Sequence, residues 1–143
     1  PDDTKLIEQL LQLMHDSRVD FTYFFRRLSL VSKNATINTI ALRDDFLDRE
    51  KFDQWMAAYL ERLQLETRDD SARAIAMNLV NPKFILRNHL AQAAIEKAEL
   101  DDFSEVAKLH EILSKPFDEQ QINDEYALPP PADLQTIAVS CSS

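Results

Sequence analysis

The residues able to do metal or nucleophilic chemistry are few and poorly grouped. His15, His89 and His110 are scattered. No HxxxH, HExxH or Cys/His spacing occurs among them, so the sequence gives no zinc site. Asp44-Asp45 with Asp48, and Asp101-Asp102 with Glu105, could each present carboxylates to Mg²⁺. Both groups sit where helix N-termini are expected, and acids there are favoured by the helix dipole. They read as caps, and no metal ligand is assigned. Arg87, Asn88 and Gln92 form the most notable polar group. They lie on a segment expected to be buried, with Asn88 and Gln92 as i, i+4 neighbours. Buried polar side chains need partners, so the group is either structural, tying loops to the bundle, or a surface that docks another domain. Cys141 is the one cysteine. A thiol near the end of an extended tail can reach partners that a core thiol cannot, and its reactivity depends on thiolate character.

The elements that must carry these residues contain no glycine in 143 residues. That excludes a GxxxxGK[ST] phosphate loop and a GxGxxG dinucleotide turn. It excludes a GxSxG nucleophile elbow and a kinase-type Gly-rich loop as well. Gly-dependent tight hairpins are disfavoured, and a hairpin-rich β fold with them. The net charge of −9 and pI near 4.7 argue against nucleic acid or an anionic membrane as partner. The aromatic run Phe21, Tyr23, Phe24, Phe25 therefore reads as core rather than as a base-stacking platform. A single cysteine allows no internal disulfide and fits a reducing compartment. No apolar run approaches the roughly 18 residues of a membrane span, and residues 1–20 lack a signal-peptide pattern. The chain opens Pro1-Asp2-Asp3 rather than with Met, and reads as a piece of a longer polypeptide.

Hydrophobic spacing predicts an all-α fold: a bundle of about five to six helices over 1–117, then an extended, acidic and proline-containing tail over 118–143. The first helix runs from about Thr4 to His15, with Leu6, Leu10, Leu13 and Met14 on one face. The second begins near Asp20 and faces inward with Phe21, Phe24, Phe25 and Leu28. Residues 32–41 read as a loop with one turn. The clearest helix spans about Asp48–Glu66, with Phe52, Trp55, Met56, Tyr59, Leu60 and Leu63 in register. Asp69 or Asp70 caps the next. Asn81-Pro82-Lys83 then reads as Ncap, N1 and N2 of a helix, because Pro at N1 loses no hydrogen bond. That helix is Ala-rich and apolar on most sides from Leu90, and is expected near the centre of the bundle. Asp102 and Glu105 read as a capping box for a helix to Leu113. Pro129-Pro130-Pro131 must be extended, and Ile137 and Val139 alternate with Ala138 and Ser140 in strand-like fashion.

Two stretches carry a family resemblance. Met77 to Asn88 (MNLVNPKFILRN) continues through Leu90-Ala91-Gln92 and Ala94-Ile95 to Asp102-Phe103-Ser104-Glu105-Val106. The ending runs Tyr126-Ala127, Pro129–Pro131, then Val139 to Ser143 (VSCSS). With Leu13-Met14 and Asp20–Arg26, these stretches resemble the selenoprotein O family of protein adenylyltransferases, across essentially the whole chain. The resemblance implies a kinase-like parent enzyme that transfers AMP from ATP to Ser, Thr or Tyr hydroxyls of proteins, using Mg²⁺ or Mn²⁺. It implies that the nucleotide- and metal-binding residues lie upstream, so no catalytic residue maps onto this chain. The partners implied are the upstream kinase-like domain and the parent's protein substrates, in a bacterial cytoplasm or, for a eukaryotic source, a mitochondrion. Some members carry selenocysteine third from the end and others cysteine; Cys141 stands there, which implies a redox role. The alternative is a self-standing helical module that binds a protein partner without catalysis.

Overall fold

The computed structural model describes residues 2–34 and 37–131. Among them are seven α-helices, one 3-10 helix and no strand. The chain divides into two compact units, Pro1–Asn81 and Pro82–Ser143.

The first unit is built from α1 (Asp3–Ser17), α2 (Phe21–Leu28), α3 (Ile37–Arg43), α4 (Arg49–Leu63) and α5 (Asp70–Val80). Four of these start on an aspartate. The carboxylates of Asp2, Asp20, Asp48 and Asp69 accept from the backbone N–H groups of Lys5, Tyr23, Lys51 and Ala72, satisfying donors that have no intrahelical partner. The helix ends show what the missing glycines cost. After α1, Arg18 takes the left-handed conformation at φ 53°, where glycine is usual. Its N–H and that of Val19 return to the carbonyls of His15 and Met14. Asp101, beyond the next-to-last α-helix, does the same at φ 60°.

The core of this unit gathers Leu10 and Met14 of α1, Phe24 and Leu28 of α2, and Phe52, Trp55, Met56 and Leu63 of α4, joined by Val31, Leu42 and Phe46. Phe46 stacks on Phe52 at 4.6 Å and takes the edge of Phe24 at 5.6 Å. Trp55 Nε1 donates to the Leu6 carbonyl across the α1–α4 contact at 2.9 Å. The apolar spacing of α1, α2 and α4 thus points where the sequence indicates, except that Phe21 is exposed. The segment 32–41, expected as a loop, contributes to α3. Its β-branched residues have poor helix propensity, but burial of Leu42 in the core outweighs that preference.

The second unit holds α6 (Asn88–Ala98), α7 (Ser104–Leu113) and the 3-10 helix Gln121–Ala127. Its core is Phe84, Ala94, Leu109, Ile112, Tyr126 and Ala127. Here three expectations are corrected. Asn81-Pro82-Lys83 does not start a helix. Asn81 ends α5 in extended geometry, and helix resumes only at Asn88. The cause is tertiary: the N–H groups of Lys83 and Phe84 both donate to the Pro116 carbonyl, and Phe84 is buried. Second, α6 is not a central helix. Only Ala94 is buried on it, because Phe84 and Tyr126 supply the bulk of this core. Third, the capping box is replaced. Asp102 accepts from Ser104 N and Oγ, while Glu105 turns to the Tyr126 hydroxyl.

Residues 118–127, expected at the head of an extended tail, fold far enough to bury Tyr126 and Ala127. Leu128 then turns extended, and Pro129–Pro131 are non-helical. The strand-like Ile137 and Val139 lie outside the described residues, as does Cys141. Among the described residues no helix is long and apolar enough to cross a membrane.

Candidate functional site

Asn81, Lys83, Arg87, Asn88 and Gln92, singled out in the sequence, fall along residues 81–92. Asn81 Nδ2 donates to the Met77 carbonyl at 3.0 Å, closing the end of α5. Lys83 reaches two carboxylates, with Nζ 2.5 Å from Glu119 Oε2 and 2.7 Å from Asp124 Oδ1. Burial alone would pull this ammonium down. The bonds from Asp124 and Glu119 outweigh it and hold Lys83 above the usual lysine range. Arg87 is buried, and its Nη2 donates to the Ala127 carbonyl at 3.2 Å. Asn88 opens α6, half-buried. Gln92 turns along the helix to Glu96 at 3.3 Å rather than back to Asn88. Arg87 and Gln92 are therefore close in sequence but serve separate contacts.

His89 follows Asn88 on the same turn. Its Nδ1 is buried with no hydrogen-bond partner among the described residues. Burial, then the Arg87 charge, pushes the imidazole below the ordinary histidine range. Further along, the Tyr126 hydroxyl donates to Glu105 Oε2 at 3.1 Å, and Lys108 lies 4.9 Å from the Tyr126 ring centre. Cations and polar groups pin the 82–87 segment and the 3-10 helix to α7 and its C-terminal turn.

A second polar network, in the first unit, escaped the sequence reading. Arg26 Nη1 donates to the carbonyls of Asn78 and Asn81, at 3.1 and 2.9 Å, and so caps the C-terminal end of α5. Arg73, also buried, donates to the Val31 carbonyl and pairs with Asp70 at 2.9 Å. Asp70 accepts as well from Ser32 Oγ and Lys33 N. The Ser32 hydrogen bond, with those from Lys33 and Arg73, holds its carboxyl below the usual range. Lys33 Nζ completes the clamp on the carbonyls of Glu66 and Arg68. The chain after α2 is thereby fastened to the α4–α5 turn. Nothing local in the sequence marks Arg73 as buried: its helix neighbours include Asp70 as well as Met77, and propensity cannot distinguish it from an exposed arginine.

An open groove of about 530 Å³ beside α1 and α4 is bordered by Leu6, Gln9, Ala58 and Arg62, with Arg62 paired to Asp3 at 2.8 Å. Among the described residues no group of three or more His, Cys, Asp or Glu stands together as metal ligands would.

The family model described as protein adenylyltransferase SelO matches residues 1–114. A protein nucleotidyltransferase YdiU of Herminiimonas arsenicoxydans is 54% identical over all 143 residues, which cover 29% of that relative. Proteins of the same name from Burkholderia multivorans and Burkholderia cenocepacia are 53% and 52% identical over 141 residues, 99% of this chain and 27% of theirs. The chain thus spans under a third of the length of these curated relatives. An alignment this long and this similar leaves one assignment: the chain belongs to the SelO family of protein adenylyltransferases.

Proposed function

We propose that this chain is the C-terminal helical portion of a protein adenylyltransferase that moves AMP from ATP onto Ser, Thr or Tyr hydroxyls of proteins. The observation that carries the reading is the match along the whole chain to a nucleotidyltransferase more than three times as long. In it the upstream, kinase-like part binds ATP and Mg²⁺ or Mn²⁺ and performs the transfer, in the cytoplasm of a bacterium. These residues support that part from outside. Two features favour a supporting role. The chain lacks any glycine for a phosphate loop, and the buried Arg26, Arg73 and Arg87 donate to backbone carbonyls of their own units. Cys141, third from the end, is the redox handle in the same reading, so Cys141→Ser abolishes any response of activity to oxidant.

The test is transfer of label by the full-length polypeptide from ATP and Mg²⁺ to a protein acceptor. Label at the α-phosphate is expected in the acceptor, and label at the γ-phosphate is not. Transfer from the γ-position alone overturns the reading in favour of a phosphotransferase.

A further inference from the structure

Helix α5 is inside out. A helix with a core on one side and water on the other puts apolar residues inward and charge outward. The one fully buried residue of α5 is the charged Arg73, with Met77 half-buried against the core one turn on. The other side carries Ala72, Ile75, Ala76 and Leu79, spaced i, i+3, i+4, i+7 and hence in one stripe. Ile75 is 63% and Leu79 70% exposed. The only charged residues of the helix, Asp70 and Arg73, fall outside the stripe. Ala72 and Ala76 leave a shallow floor beside the larger Ile75 and Leu79, a relief that accepts a ridge of side chains from a second helix.

Size decides what can lie there. The 11 residues of α5 span about 16 Å, and a helix is roughly 10 Å wide, so the stripe offers about 160 Å². A stable complex between separate molecules buries about 800 Å² per partner. The stripe is too small to hold a free partner or a second copy by itself. A covalently tethered segment needs far less, because its effective concentration is millimolar or more. The relatives carry such a segment: more than two thirds of their length lies outside the region matched here.

We propose that the Ala72–Leu79 stripe is the docking surface for an apolar helix face in the part of the same polypeptide outside these 143 residues. This rests on the reading above that the chain is part of a longer enzyme. The test places the photo-crosslinking amino acid p-benzoylphenylalanine at Leu79 of the full-length polypeptide, irradiates it, and maps adducts by mass spectrometry. The expected result is an adduct at monomer mass joining position 79 to a peptide outside Pro1–Ser143, at least tenfold above any other adduct. An adduct to another residue of these 143, a crosslinked dimer, or no adduct overturns the proposal. The same probe at Ile75 reads the same stripe should the bulky group at Leu79 prevent folding. AMP transfer by the same preparation is measured separately. An outside adduct without AMP transfer supports the docking surface while refuting the enzymatic reading. AMP transfer without that adduct refutes the docking surface alone.

Discussion

At the scale of single residues, buried cations organise both units, and they respond to substitution in different ways. Arg73 donates to the Val31 carbonyl and pairs with Asp70, yet its Nε and Nη1 have no hydrogen-bond partner among the described residues. Removing the side chain strips packing from the arginine stem and leaves a buried carbonyl unmet. Arg73→Ala is expected to cost about 3 kcal/mol in urea unfolding. Arg73→Met keeps the stem and removes the unpaired donors, so it is expected to recover more than half of that loss. His89 gives a pH signature. Its folded pKa lies below the ordinary histidine value of about 6.5, so below that pH the unfolded chain binds more protons than the folded one. Its stabilising contribution is complete above 6.5 and is lost as pH falls through the folded value. Stability should therefore drop more between pH 7.5 and 5.5 in the native chain than in His89→Asn, measured by denaturant midpoint at each pH. A drop of equal size in both would remove His89 from the account. The histidine and the arginine were visible in the sequence only as letters. What gives each its role is a partner or a burial set by the fold: Val31 for Arg73, Arg87 and the surrounding packing for His89.

At the scale of elements, legibility follows the range of the interactions. The starts of α1, α2, α4 and α5 depend on an aspartate three residues from the N–H it accepts, so they could be read directly. Asn81-Pro82-Lys83 has the same local form and misleads, because the acceptor that claims the Lys83 and Phe84 amides is Pro116, more than thirty residues away. Helix α3 was missed for the same reason: what stabilises it is burial of Leu42 among residues of other helices. Helix ends carry a cost in a chain with no glycine. Arg18 is exposed and left-handed, so a side chain with a Cβ is held where glycine is unstrained. Arg18→Gly is expected to stabilise the chain by about 0.5–1 kcal/mol, less than the full conformational penalty because glycine also frees the unfolded state. Thermal unfolding checks this, and a lower melting temperature for the glycine variant would contradict it. Asp101→Gly should gain less, since aspartate tolerates the left-handed region better than arginine.

At the scale of the whole molecule, the described residues form helices in two units, four of them started by a capping aspartate, with polar networks that fasten backbone to side chain. The all-α class was legible because apolar spacing in α1, α2 and α4 repeats over several turns and local caps agree with it. The family was legible from the Met77–Asn88 stretch and the chain's ending, though the local conformation at Asn81–Lys83 was not. Sequence likeness therefore survived where a local structural rule failed, because the 82–87 segment is specified by the second unit's core rather than by its own propensity. In the proposed division of labour, nucleotide chemistry lies in the larger remainder and support in these 143 residues. Calorimetric titration of ATP with Mg²⁺ tests it most directly, into the full-length polypeptide and into the 143-residue chain under the same conditions. The account predicts saturable binding to the full-length polypeptide and no heat of binding to the 143-residue chain. Saturable nucleotide binding by the 143-residue chain alone would contradict it.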